Sequence, residues 1–263
     1  MIAVCRPHYL IFHPARAKMS VMARAVTISG VQTYANNVFV DPPFTCTPKY
    51  PGGNEDPYVF TEPWLYSFCH ATQLRRLSKT QPNVGTNSVL IFAEDCKREG
   101  TLYVDTVFVV DQRLAWPMPG LTPPTLLTTS SIPVQEHPHL RGGLNKVHGS
   151  GHTGRITYTA RQFGAVFEVI GSYSFLPITE SFERVPVELE SLPEHLSQKI
   201  RAHWMGRFPV LLDSNDLALL MAKIDKLAAF KVISPIRKGE HEVASKMSAC
   251  KGASVRNGKR VLS

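Results

Sequence analysis

The sequence predicts an α+β domain in which a mixed sheet is flanked by helices. Three observations lead to this fold class. Two apolar, β-branched segments joined by a short charged turn occupy residues 88–113 and indicate a pair of adjacent strands. Helical stripes of apolar residues run through 191–204 and 215–229. Short strand-like segments, separated by loops rich in Pro and Gly, fill much of the remaining chain.

The strand pair at 88–113 is the clearest of these signals. Residues 88–93 are apolar on both sides of a strand, which predicts a strand buried on both faces. Residues 94–100 are charged and end in Gly, as expected for a turn. Residues 101–110 are β-branched and aromatic but include one carboxylate, Asp105. A carboxylate among such neighbours must be hydrogen-bonded or must face a polar cavity.

Four further segments have strand character. They are rich in β-branched and aromatic residues and are bounded by turn-forming residues. We predict these strands at 25–28, 37–40, 155–160 and 165–170.

Three helices are predicted from caps and periodicity. Residues 61–77 form one, because Pro63 suits a first helical turn and apolar residues follow at helical spacing. Residues 191–204 form the second. Asp213 is placed to cap the third, at 215–229, and thereby to satisfy free backbone N–H groups at its start.

The positive charge of the chain is concentrated at its two ends. The formal net charge is +8, of which residues 1–24 contribute +4 and residues 237–263 contribute +5, so that residues 25–236 carry −1. We therefore predict a poorly ordered N-terminal extension over 1–24, a single α+β domain over 25–236 and a basic, disordered tail over 237–263. Such a tail can hold phosphates without sequence preference.

Cysteine usage and hydropathy indicate the compartment. The five cysteines are widely spaced and form no CxxC pair, so a disulfide scaffold is not expected and a reducing compartment is favoured. No window approaches the roughly 20 apolar residues that span a bilayer. We expect a cytoplasmic protein that does not associate with membranes and uses no cofactor.

Three motif-like patterns do not support a specific chemistry. Residues 149–154 match GxGxxG, but a dinucleotide site needs a strand before the glycines and a helix after them. The histidines of the 137–152 loop have spacings found in zinc sites, but no predicted element would hold them, and no metal is expected. Cys69 and His70 would point about 100° apart on a helix, which disfavours a thiol nucleophile.

Aromatic and polar residues indicate a cleft for a flat ligand. Aromatic rings stack on nucleobases, while amides and a carboxylate contact the base edges. The candidate ligand-binding residues are Asn37, Trp64, Tyr66, Tyr103, Asp105 and Tyr173.

The strand pair also resembles a known superfamily. SVLIF at 88–92 and DTVFVV at 105–110 are similar to the two strands around a polar turn in PUA-like domains, which include the ASCH and EVE domains. They also resemble uncharacterised prokaryotic domains associated with nucleotide modification. The resemblance implies a β-barrel-like sheet whose cleft binds RNA or accepts a flipped modified base. The Gly-Asp usual before the first strand is Asn87-Ser88 here.

These observations lead to one expected function and two alternatives. We predict a non-catalytic binding module that recognises nucleic acid or a modified nucleotide by aromatic stacking and polar edge contacts. The first alternative is a small nucleotide-processing enzyme in which Asp105 and a histidine of the 137–152 loop perform acid–base chemistry. The second is a protein-partner module of a defence or mobile-element system. Whether the protein catalyses a reaction stays open at this point.

Overall fold

The computed structural model describes residues 6–12, 23–27, 32–35, 57, 59, 63–67, 84–96, 100–115, 156–163, 173–181, 183–203 and 209–233. Within these ranges the chain forms two sheets and two α-helices. The strands are β1 (His8–Phe12), β2 (Ala23–Thr27), β3 (Gln32–Ala35), β4 (Leu65–Ser67), β5 (Val89–Cys96), β6 (Thr101–Ala115), β7 (Ile156–Ala160), β8 (Leu176–Ile178), β9 (Val185–Glu188), β10 (Val210–Leu212) and β11 (Phe230–Val232). The helices are α1 (Glu194–Ala202) and α2 (Ser214–Leu227). The prediction of an α+β fold is confirmed.

The larger sheet is organised around β6. Its strand order is β10-β1-β5-β6-β7-β4, with β9 also paired to β6. Strands β1 and β5 run parallel, and the other neighbours are antiparallel. One edge of β6 pairs with β5, while the other edge is shared by β9, Phe175 and β7 in succession. The described strands do not close into a barrel.

The smaller sheet is antiparallel, with the order β3-β2-β11-β8. Phe175 forms a bridge to Val107 of β6 and is followed directly by β8. The chain therefore passes from the large sheet into the small one within one residue.

A one-residue bulge interrupts the pairing of β6 with β5. Phe92 pairs with Thr106, whereas Ala93 pairs with Val104, so that Asp105 is the extra residue. Residues two positions apart in a strand normally lie on the same face of the sheet. Because Asp105 is an extra residue, Val104 and Thr106 instead lie on opposite faces.

A second bulge interrupts the pairing of β6 with β7, and its extra residue is again an aspartate. Val110 pairs with Ala160, whereas Gln112 pairs with Thr159, which leaves Asp111 unmatched. The two aspartates in the β6 sequence therefore mark the two positions at which the strand changes its register.

The two faces of the large sheet bury different side chains. The helix-covered face, which packs against α1 and α2, is mainly aliphatic. Its members include Leu10, Ile91, Val104, Val107, Leu196, Leu220 and Ile224. The tyrosine-rich face is aromatic. Its members include Tyr9, Trp64, Tyr66, Phe92, Phe108 and Tyr158.

The helices are joined to each other through one buried carboxylate. Asp213 caps α2 as predicted, because its side chain accepts hydrogen bonds from the N–H groups of Asn215 and Asp216. Asp216 is buried and accepts a hydrogen bond from Lys199 of α1. His195 of α1 also lies 3.4 Å from the Asp216 carboxylate. Polar groups thus hold the outer layer together beside the aliphatic core.

The turn that precedes β5 requires an unusual backbone conformation. Asn87 has a φ angle of 72°, in the left-handed region that Gly adopts freely and Asn tolerates. Its side-chain oxygen accepts a hydrogen bond of 2.6 Å from Arg161. Asn87 therefore satisfies the conformational demand of this turn and is held there by Arg161.

The expectation of a poorly ordered extension over 1–24 is wrong for β1. This strand lies between β10 and β5, and Leu10 is fully buried. Its apolar segment is bracketed by Pro7 and Pro14 and is too short to show periodicity. Pairing with a strand some eighty residues away decides its structure.

The helix predicted over 61–77 is wrong at Leu65–Ser67. These residues form β4, which pairs with β7. Trp64, Leu65 and Tyr66 are all buried, so this segment gains more from sheet pairing than from a helical turn. The predicted strands at 37–40 and 165–170 and the tail at 237–263 lie outside the described residues.

Candidate functional site on the tyrosine-rich face

The tyrosine-rich face brings aromatic side chains together from five strands. Tyr9 comes from β1, Phe92 from β5, Phe108 from β6, Tyr158 from β7 and Tyr66 from β4. Each occupies the strand position that points away from α1 and α2. Because these strands are adjacent in the sheet, residues far apart in sequence form one continuous aromatic layer.

Tyr66 lies at the centre of this layer. Its ring meets Phe92 edge-on, with 4.9 Å between centroids, and stacks on Tyr158 with an interplanar angle of 20°. Phe108 contacts it edge-on at 6.4 Å. Such pairs favour offset and edge-to-face arrangements because the faces and edges of aromatic rings carry opposite partial charge.

A row of side chains connects this layer to the surface. Tyr66 pairs with Tyr158 across β4 and β7, and Tyr158 pairs with Arg113 across β7 and β6. The guanidinium of Arg113, which is exposed, donates a hydrogen bond to the Tyr158 hydroxyl. A cation therefore stands at the rim of the aromatic layer.

The hydroxyls of Tyr9 and Tyr158 are held in their neutral form. Burial raises the pKa of Tyr158 above its usual value, although Arg113 acts in the opposite direction. Burial also raises the pKa of Tyr9, and the neighbouring Tyr158 raises it further. Neutral hydroxyls can both donate and accept hydrogen bonds, which suits contacts with the edge of a polar ring.

Two further polar atoms of this face are buried without a hydrogen-bond partner among the described residues. They are Nε1 of Trp64 and Oγ1 of Thr106, the residue paired with Phe92. Both side chains are fully buried. An unsatisfied buried donor costs about 1–3 kcal/mol. By contrast, the buried hydroxyl of Ser174 beside the opposite face is hydrogen-bonded to the backbone of Val109.

The structure brings together two of the six predicted ligand-binding residues. Trp64 and Tyr66 are neighbours in the aromatic layer and are both fully buried. Asn37 lies outside the described residues.

Tyr103 and Asp105 lie at the end of β6 that pairs with β9. Tyr103 is paired with Glu94 and is partly exposed. Arg184 lies over its ring, 5.7 Å from the centroid, and donates a hydrogen bond of 2.7 Å to Glu94. Asp105 is 1% exposed and has a partner within the fold. The histidine loop proposed to act with Asp105 lies outside the described residues.

Tyr173 lies on the other side of the sheet. Its ring packs against the helix-covered core and contacts Phe163 edge-on at 4.9 Å. Phe175 lies 5.9 Å from it. Tyr173 therefore does not share a site with Trp64 and Tyr66.

The sequence reasoning missed six residues of this face, namely Tyr9, Phe92, Thr106, Phe108, Arg113 and Tyr158. The strand predicted at 155–160 contains the signal for Tyr158, since alternation along a strand places Tyr158 and Ala160 on the same face. Tyr9 was missed because β1 itself was missed. The face on which Thr106 and Arg113 lie depends on the two bulges of β6, and no local sequence pattern predicts these bulges.

Neither family models nor curated proteins nor solved structures match this chain. The resemblance to PUA-like domains therefore stays a prediction. Within the described ranges, no helix is long and apolar enough to cross a membrane. Nor do three His, Cys, Asp or Glu side chains of the described residues gather as a metal site would require.

Proposed function

We propose that the protein is a binding module without catalytic activity that recognises nucleic acid or a modified nucleotide, and that a base binds at the tyrosine-rich face. The observation that carries this proposal is the indole N–H of Trp64. It is a fully buried donor that has no partner among the described residues. Every nucleobase presents ring nitrogens or carbonyl oxygens that can accept such a bond.

The surroundings of Trp64 support a flat ligand. Tyr66, Phe92 and Phe108 offer ring surfaces on which bases stack without strong sequence preference. The neutral hydroxyls of Tyr9 and Tyr158 can contact base edges. Arg113 stands at the rim, where a phosphate attached to the base would lie. A PUA-like architecture and a cytoplasmic location belong to the same proposal.

Access to this face requires movement. Trp64 and Tyr66 are fully buried, so a base cannot stack on them until side chains that cover them move away. The proposal therefore predicts that binding is slower than diffusion and that it increases the exposure of buried aromatic rings.

The test is fluorescence anisotropy of the full-length chain with short RNA and DNA, plain and base-modified, across a salt series. Trp64→Phe keeps an aromatic ring but removes the donor. We expect it to weaken the salt-resistant part of binding by about tenfold, as the loss of one buried hydrogen bond would. Tyr173→Phe, on the other side of the sheet, is the matched control and is expected to bind normally.

A second full-length variant isolates the tail. Its cations at Arg237, Lys238, Lys246, Lys251, Arg256, Lys259 and Arg260 are replaced by Gln. Salt-resistant preference for one base in this variant supports recognition by the folded body. If all binding disappears with the tail charges or at high salt, the proposal is refuted and the chain binds nucleic acid through tail electrostatics alone.

A further inference from the structure

His8 connects the start of β1 to the start of β5 through its ring. The backbone N–H of Val89 donates a hydrogen bond of 3.0 Å to Nδ1 of His8. A ring nitrogen accepts a hydrogen bond only when it carries no proton. The bond therefore exists only while His8 is neutral with its proton on Nε2, and protonation of the ring must break it.

The surroundings of His8 favour this neutral form. Burial lowers the pKa of His8 below its ordinary value of 6.5. On β10, its register partner is Leu212, which is followed by Asp213. The Asp213 carboxylate accepts hydrogen bonds from the N-terminus of α2. Val89 supplies the facing group on β5, and Arg6 is the nearest described charge on the segment of His8 itself.

The next residue along β1 belongs to the candidate site. Tyr9 is 1% exposed and lies in the tyrosine-rich face, where its hydroxyl is electrostatically coupled to that of Tyr158. Loosening the first residue of β1 therefore loosens a side chain that helps to close this face.

We propose that His8 is a proton-sensitive lock at the junction of β1 and β5, and that its protonation releases Val89, loosens Tyr9 and opens the tyrosine-rich face. The link to ligand access rests on the proposed function, whereas the lock itself does not. In the opened state the ring titrates near its ordinary pKa, and in the closed state its pKa is lower. The lock is therefore complete above about pH 6.5 and weakens as the pH falls below that value.

The direct test is amide hydrogen exchange at Val89 in the full-length chain, measured by NMR between about pH 7.5 and pH 5 and corrected for intrinsic exchange. We expect the protection of this amide to fall about fivefold or more on acidification. His8→Asn supplies a neutral acceptor at every pH and should remove this dependence. His203→Asn, an exposed histidine at the end of α1, is the matched control and should keep it.

The result that overturns the lock is Val89 protection that does not change with pH in the wild-type chain, or a fall that persists in His8→Asn. Oligonucleotide affinity at the same two pH values is the second readout. A change in affinity that His8→Asn abolishes supports control of access. If Val89 behaves as expected but no oligonucleotide binds at either pH, the lock stands and the proposed function fails.

Discussion

The two faces of the large sheet are built from the same strands but close in different ways. On β1, Leu10 enters the helix-covered face and Tyr9 the tyrosine-rich face; on β6, Val107 and Phe108 divide in the same manner. The first face is filled by aliphatic side chains against two helices. The second carries hydroxyls and an indole N–H in its interior. The comparison indicates that one face provides stability and the other retains polar groups that a ligand can use.

The largest expected effect comes from Val104→Asp, because Val104 is fully buried among aliphatic side chains directly before the bulge. A carboxylate there would be buried without a polar partner, and we expect the free energy of unfolding in urea to fall by more than about 4 kcal/mol. Deleting Asp105, by contrast, removes the bulge but leaves Ala93 paired with Val104, so each side chain keeps its face. We expect this deletion to lower the free energy of unfolding by only about 1–3 kcal/mol. Equal losses in the two variants would show that the bulge residue matters as much as the aliphatic packing of Val104.

Ile224→Ala should destabilise the helix-covered face without affecting binding. Ile224 is fully buried in α2, and truncation of such a residue leaves a cavity that costs about 2–5 kcal/mol. Urea unfolding measures this loss, and Ala222→Ser on the exposed side of the same helix is the control. A variant that is folded but has lost oligonucleotide binding would contradict the division of roles between the faces.

Tyr158→Phe should have a smaller effect on stability and a distinct effect on binding. The variant keeps the ring stacked on Tyr66 but removes the hydroxyl that accepts from Arg113. We expect a loss of about 1 kcal/mol in the free energy of unfolding, together with weaker oligonucleotide binding. Binding that stays at the wild-type level would argue against a ligand site on the tyrosine-rich face.

The smallest effects are expected from pH, and they should differ in sign between the two faces. Because the folded-state pKa values of Tyr9 and Tyr158 are raised, their contribution to stability is complete below about pH 10 and falls as the pH rises above it. The pKa of Asp213 is lowered, chiefly by the N–H of Asp216. Its contribution is complete above about pH 4 and is lost as the pH falls further.

Urea midpoints across the pH range measure both the alkaline and the acid loss of stability, and tyrosinate absorbance reports the ionisation of the tyrosines. Tyr158→Phe should reduce the alkaline loss, and Asp213→Asn, which keeps a cap that does not titrate, should reduce the acid loss. Ionisation of all tyrosines at their ordinary pH in the folded protein would contradict the closure of the tyrosine-rich face.

Much of the fold could be predicted because it depends on local patterns. The strands predicted at 88–93 and 101–110 correspond to β5 and β6, and the helices at 191–204 and 215–229 correspond to α1 and α2. Asp213 caps α2 as expected. In each case, the signal is a periodicity or a capping residue contained within a short stretch of sequence.

The candidate site could be predicted only in part. Trp64 and Tyr66 do lie together, but they belong to a strand where a helix was expected. Tyr103 and Tyr173 were placed with them, yet Tyr173 packs on the other side of the sheet. Composition identifies aromatic residues, but which face receives each one depends on strand register, and register is set by partners distant in sequence.

The sequence by itself determined the elements whose hydrogen bonds and apolar contacts are local, namely the two helices and the cap of α2. Only the tertiary structure decided that β1 lies inside the sheet and that β4 is a strand. It also decided that Asp105 and Asp111 are the bulged residues at which β6 changes its register. The physical reason is that a short segment cannot satisfy its backbone groups alone. Its conformation follows from whichever distant strand supplies the missing hydrogen-bond partners.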